Sequence, residues 1–170
     1  MLAVHLSTSV GWLGALVAYL VLDLAVTTSD DAQLVRASWI AMGRVVSYVI
    51  VPLALASLVT GIVISAGTRW GLFRHWWVLI SLALTVFALI VLLLEIGVVD
   101  RMAALASDPA TTDAALTAMP GTLPHSIGGA IVLLVVHWLN VFKPRGLTRY
   151  GWRKEREERA AAQRGTAGAQ

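Results

Sequence analysis

The sequence predicts an all-α, polytopic membrane protein built on a bundle of four transmembrane helices, and three observations favour this fold class. Hydrophobic residues make up 58% of the 170 residues and charged residues only 14%, too apolar a composition for an ordinary soluble domain. Four apolar segments are each long enough for a bilayer core, which requires about 20 residues. Polar stretches rich in helix-breaking residues separate these segments.

The first transmembrane helix is predicted over about residues 2–27, although it contains two ionisable side chains. At ~100° per residue, His5, Trp12, Tyr19 and Asp23 point the same way. Because an unpaired ionisable group in hydrocarbon is costly, this polar and aromatic stripe is expected to face the other helices.

The other three helices follow in order. The second is predicted over about residues 32–66, longer than a bilayer requires, with a kink at Pro52. The third is predicted over about 75–103 and the fourth over about 124–142. The polar segment between the last two is expected to be a loop that contains at most one short helix.

The charge distribution divides the chain into a transmembrane domain, 1–144, and a basic tail, 145–170. The tail is expected to be cytoplasmic, to contact anionic lipid headgroups, and to be partly disordered after a short helix. Four spans then place both termini in the cytoplasm. The lipid bilayer is the expected partner, nucleic acid is not, and a homo-oligomer or a membrane partner is left open.

Four polar residues fall at a similar depth near the outer boundary, one on each predicted helix. They are Asp23, Arg44, Glu95 and His125. One hypothesis is a buried network in which Arg44 pairs with both carboxylates and His125 completes the set by hydrogen bonding. The alternative is that all four side chains extend to water, as charges near helix ends commonly do.

Two histidines, His5 and His137, lie in the opposite third of the predicted bundle, on its first and last helices. Imidazoles on facing helices are able to ligate a haem iron from both sides, and Trp12 would help to line the pocket. The sequence therefore suggests a haem b site. The alternative is that each ring only forms hydrogen bonds within the bundle.

A weaker metal hypothesis groups three side chains around the last loop. Met102, Met119 and His125 supply two thioethers and an imidazole, which suit Cu(I). The chain has no cysteine, which excludes disulfides, thiolate metal sites and cysteine nucleophiles. Because zinc-protease, phosphate-loop and nucleophile-elbow motifs are also missing from the sequence, a non-enzymatic role is favoured.

Several segments resemble a bacterial family of four-helix predicted integral membrane proteins of unknown function. They are the pattern H-x6-W-x-G at His5, Trp12 and Gly14, the segment PLALASLVTGIVISAGTRWGLFRHWWVL, and the tail motif KPRGLTRYGWRK. The first pattern is also remotely similar to copper-resistance D-type proteins and to membrane-bound protoporphyrinogen oxidase. The resemblance implies a bacterial inner-membrane protein and carries over His5 alone. The oxidase pattern has a lysine where this chain has Ser81, and relatives often have a histidine in place of Glu95.

Three functional hypotheses follow from these features. The first is a non-enzymatic bundle that binds a small cofactor or a partner. The second is a b-type haem redox protein, and the third is a component of copper or proton-coupled transport that uses the outer polar residues.

Overall fold

The computed structural model describes residues 1–68 and 70–167, and Arg69 and residues 168–170 lie outside the described part of the chain. The described residues form seven α-helices and one π-helical turn. The helices are α1 (Leu2–Thr28), α2 (Ala32–Val45), α3 (Val51–Gly67), α4 (Trp76–Ser107), α5 (Asp113–Thr117), α6 (Leu123–Phe142) and α7 (Arg149–Ala167). The π-helical turn, Val46–Ile50, joins α2 to α3 without a break, so that these two helices form one span.

Four of these segments are long and apolar enough to cross a membrane: α1, the α2–α3 span, α4 and α6. The first and third spans, α1 and α4, each pack against both the α2–α3 span and α6, which places α1 and α4 diagonally in the bundle. We call the end at which α1 joins α2 the Asp31 end, and the end at which α3 joins α4 the Arg74 end. The predicted all-α bundle is confirmed.

The observed helix bounds differ from the predicted ones mainly in the third span. The predicted helix 75–103 corresponds to α4, which continues to Ser107. Arg36 on α2 donates hydrogen bonds to the backbone carbonyl oxygens of Ala106 and Thr111. These bonds satisfy carbonyls at and just beyond the end of α4, where a helix has no internal donors, and so stabilise the additional turn.

The polar and aromatic face of α1 points into the bundle, as predicted. Trp12, Tyr19 and Asp23 are buried, whereas Val17 and Leu24 on the opposite side are exposed. The exposed leucine and valine side chains suit contact with lipid. The rotation of α1 therefore follows from the spacing of its few polar and aromatic residues.

The predicted irregularity in the second span occurs one turn before Pro52. In the π-helical turn the Val51 N–H donates to the carbonyl of Val46, five residues back. Proline cannot donate such a bond and its ring crowds the preceding turn, so the wider turn relieves both constraints. The turn also changes which residues of the span face α4.

The tail folds back against the loop before α4 at the Arg74 end. The Thr148 N–H donates to the carbonyl oxygen of Arg74 at 2.9 Å, and the Arg74 guanidinium forms an ion pair with Glu158 at 2.9 Å. A side chain at Gly151 would overlap the Arg74 carbonyl, so the chain approaches closely there.

The helix α7 extends from 149 to 167, further than the short helix expected. Internal ion pairs such as Arg159 with Glu155 favour its length.

The docking of α7 is expected to weaken in acid. The hydrogen bond from Arg74 holds the pKa of the Glu158 carboxyl below its ordinary value. The ion pair is therefore fully present above the ordinary pKa of a glutamate carboxyl and is lost as pH falls through the lowered pKa of Glu158. A spin label at Ala161→Cys, specific because the chain has no cysteine, should be restrained at neutral pH and mobile in acid.

The matched control for this measurement is Arg74→Gln. Its label should be mobile at neutral pH already and should change little on acidification. Equal acid mobilisation in both proteins would mean that another group controls the docking.

Candidate functional site

Asp23 on α1 is fully buried and forms the centre of a hydrogen-bonded cluster at the Asp31 end. One carboxylate oxygen accepts the backbone N–H of Thr122 at 2.7 Å. The other accepts the hydroxyls of Thr122 at 3.0 Å and of Ser126 at 2.7 Å. These three bonds offset the cost of removing a carboxylate from water.

The cluster caps α6 from a neighbouring helix. Thr122 is the N-terminal capping residue of α6 but forms no capping bond with its own side chain. Asp23 accepts the backbone donor in its place, and its negative charge suits the positive end of the helix dipole. Because the Thr122 hydroxyl donates to Asp23, the Tyr19 hydroxyl, 2.8 Å away, donates to Thr122. The cluster thus fixes α1 against α6.

Arg44 does not belong to this cluster, which corrects the four-residue network considered from the sequence. Its guanidinium carbon lies 6.0 Å from the centre of the Tyr48 ring, and Arg44 is exposed. Within residues 1–68 and 70–167, no ion pair joins Arg44 to Asp23 or Glu95. The rotation of α2 directs the Arg44 side chain away from the interior of the bundle.

Glu95 and His125 are brought together as the network hypothesis expected. The Glu95 carboxylate on α4 lies 3.2 Å from the imidazole Nε2 of His125 on α6. Their side chains are 23% and 54% exposed, so the pair lies at the bundle surface rather than in its interior. This pair bridges α4 and α6 close to the Asp23 cluster.

A cavity of about 300 Å³, here called the inner cavity, lies between the four spans beside this pair. Its walls are mostly apolar and include Trp12, Phe87 and Leu133, while Glu95 and His125 supply polar groups. Gly128 also lines the cavity, and a Cβ at that position would meet no atom within 4 Å. The described residues therefore leave room for a small molecule with an apolar body and one polar end.

The structure separates the predicted haem ligands from this cavity. His5 contacts the hydroxyl of Thr60 through Nδ1 at 3.0 Å, and Nδ1 of His137 bonds to the carbonyl of Leu133 at 2.8 Å. The Nε2 atom of His137 is buried without a described hydrogen-bond partner. Trp12 lines the inner cavity, but neither histidine does. The inner cavity therefore does not fit a haem held between these two imidazoles.

The three residues of the copper hypothesis have different surroundings. Met102 and Met119 pack against the main apolar core, and His125 faces Glu95. In the described part of the chain, no group of three or more His, Cys, Asp or Glu side chains could hold a metal ion. The two thioether side chains thus pack against the core, and the His125 imidazole lies beside the Glu95 carboxylate.

Thr122 and Ser126 are the hydrogen-bond partners of Asp23, and neither was predicted from the sequence. They lie four residues apart, on one face of α6, at a helix start marked by Pro124. A hydroxyl residue directly before the first turn of a helix is typical of an N-terminal cap. That signal indicated a helix start but did not reveal that the acceptor would come from α1.

Comparison with protein-family models, with curated proteins and with solved structures returned no match to this chain. The resemblance to the bacterial membrane family therefore stays a prediction.

Replacing Asp23 with asparagine should destabilise the bundle. The amide nitrogen of asparagine cannot accept the bonds that one carboxylate oxygen receives, so a buried hydroxyl loses its acceptor. The expected loss is about 1–3 kcal/mol in the free energy of unfolding. Reversible unfolding of the purified protein in mixed micelles measures it. Asp30→Asn, an exposed change in the connection that follows α1, should cost much less, and equal losses would contradict the assigned role of Asp23.

Gly121→Ala should also destabilise this end of the bundle. A Cβ at Gly121 would overlap the Thr27 hydroxyl and lie 3.0 Å from the Asp23 carboxylate. The loop would have to move away and lengthen the bonds to Thr122. Thermal unfolding should show a clear decrease for Gly121→Ala and almost none for Gly14→Ala, since a Cβ at Gly14 meets no atom within 4 Å. Unchanged unfolding of both variants would be inconsistent with close contact at Gly121.

Proposed function

We propose that this protein is a non-enzymatic integral membrane protein that binds a small amphiphilic molecule in the inner cavity. The observation that carries the proposal is the cavity itself, about 300 Å³ in volume, lined by residues of all four spans and largely apolar. This volume is at the lower limit of common ligand sites, roughly 300–1,000 Å³. A binding role needs such a space, whereas a bundle that served only as an anchor would be expected to fill it with side chains.

The polar groups of the cavity define the kind of ligand. Tyr19, Thr122 and Ser126 also line it, but their hydroxyl groups are engaged in the Asp23 cluster. Glu95 and His125 have only each other as described partners, and both remain partly exposed. A ligand head with a hydroxyl, amine or amide is able to donate to Glu95, while its apolar body contacts the cavity wall.

The same residues suggest how such a ligand enters. Phe87 on α4 and Pro124 and His125 on α6 line the cavity and are also exposed. They mark an opening between α4 and α6 that faces the surroundings of the bundle. A ligand dissolved in the bilayer would reach the cavity through this opening from the side of the bundle.

The proposed location is a bacterial cytoplasmic membrane, with both termini in the cytoplasm. Arg74 and the basic residues of α7 lie together at the Arg74 end, as cytoplasmic segments of membrane proteins commonly do. The connections at the opposite end contain Asp30, Asp31 and Asp108. The charge distribution supports this orientation.

Filling the inner cavity should abolish ligand retention without unfolding the protein. In Gly128→Leu the new side chain would extend into the cavity, and leucine favours a helix by up to about 1 kcal/mol relative to glycine. Native mass spectrometry of gently purified wild-type protein should show a bound small molecule, and Gly128→Leu should lack it. Gly14→Leu is the matched control, because Gly14 lies on α1, is exposed and does not line the cavity.

Two results would contradict this function. One is that wild-type protein retains no small molecule when extracted directly from its native membrane. The other is equal retention by Gly128→Leu and wild type. An optical spectrum of the same samples tests the haem alternative, since a Soret band that disappears in His5→Ala would identify haem as the ligand.

A further inference from the structure

A second cavity, here called the outer groove, lies on the outside of the bundle between the α2–α3 span and α4, near the Asp31 end. Its volume is also about 300 Å³. Arg44, Ser47 and Tyr48 line one side, and Asp100 and Ser107 line the other. The inner cavity is mainly apolar, whereas these five residues give the outer groove a predominantly polar lining.

The floor of the outer groove is made by small residues. A Cβ added at Gly43 would lie only 2.8 Å from the Cβ of Ala103, so α2 and α4 are in close contact there. Ala104 contributes another small side chain. Arg44 and Asp100 lie on either side of this contact, and the space between them is open.

Two opposite charges share the groove without pairing. Arg44 and Asp100 are both exposed, and among the described ion pairs neither takes part. The Tyr48 ring, 70% exposed, is the described neighbour of the guanidinium. A ligand that carries an anion and a cation would complement both edges at once.

The groove lies where the apolar part of the spans meets the polar Asp31 end of the bundle, which is where lipid headgroups are expected. On one side of the groove α2 begins and α4 ends, and there the Arg36 guanidinium donates to the carbonyl oxygens of Ala106 and Thr111. On the other side lies the apolar part of the spans. An exposed tyrosine at this boundary is typical of a membrane interface.

An apolar track leads from the groove along α4. Leu93, Gly97 and Asp100 have the spacing of one helix face, and Leu93 and Gly97 are exposed. A Cβ at Gly97 would meet no atom within 4 Å. An acyl chain below a headgroup in the groove would therefore find an open and apolar surface.

From this arrangement we infer that the outer groove binds the headgroup of a phospholipid with a primary ammonium group, such as phosphatidylethanolamine. Its phosphate pairs with Arg44, assisted by the Ser47 hydroxyl, and its ammonium donates to Asp100. Arginine suits phosphate because its guanidinium donates two parallel hydrogen bonds. This site is separate from the inner cavity and does not depend on the ligand proposed there.

The experiment compares lipids with identical acyl chains added to delipidated protein in detergent, with retention measured by native mass spectrometry. Wild type should retain phosphatidylethanolamine roughly tenfold better than phosphatidylglycerol, the gain of about one charge-assisted hydrogen bond. Phosphatidylcholine, which has no N–H donor, should be retained like phosphatidylglycerol. This comparison uses the unmodified protein and so does not depend on how a variant folds.

Two variants test the Asp100 side and the Arg44 side of the groove separately. Asp100→Asn should reduce retention of phosphatidylethanolamine to the level of phosphatidylglycerol, and Arg44→Gln should reduce retention of both lipids. Arg101→Gln is the matched control, since Arg101 is exposed beside Asp100 but does not line the groove. Equal retention of the three lipids by wild type, or unchanged selectivity in Asp100→Asn, would overturn the proposal.

Discussion

The bond between the Asp23 carboxylate and the first turn of α6 is the interaction on which the arrangement of the bundle depends. Four apolar helices in lipid gain little from the hydrophobic effect by associating with each other, so packing and polar contacts determine how they associate. A buried carboxylate without donors would be prohibitively costly, and three donors on one helix start remove that cost. The first and last spans are therefore fixed to each other at a defined depth and rotation.

The inner cavity lies directly beside this interaction, and residues of the Asp23 cluster form part of its lining. Tyr19 and Thr122 hold α1 and α6 together at the Asp31 end, and Glu95 with His125 connects α4 to α6 nearby. Beside these contacts the α6 lining of the cavity includes Gly128 and Gly129, which have no side chains to fill the space. The polar contacts at the Asp31 end and the two glycines of α6 thus lie on either side of the space that side chains leave unfilled.

The sequence was sufficient for the class of fold and for the interior face of α1. Apolar runs of about 20 residues specify spans, and the spacing of Trp12, Tyr19 and Asp23 specifies which side of the helix is buried. It was not sufficient for the partners of those residues. Arg44 and Asp23 have similar depth, but depth does not determine the rotation of α2, which is altered by the π-helical turn. Charge complementarity alone favoured Arg44, whereas the structure uses uncharged hydroxyls and a backbone N–H.

The π-helical turn before Pro52 has a consequence for the two ligand spaces. Val46 and Ile50 of this turn line the inner cavity, whereas Ser47 and Tyr48 line the outer groove. One segment of backbone is thus a common wall of both. A molecule in one space that alters the turn would change the affinity of the other space, and thermodynamic reciprocity requires the same change in the reverse direction. If both spaces bind the molecules proposed for them, the irregular turn is the segment through which a lipid outside the bundle would influence the ligand inside it.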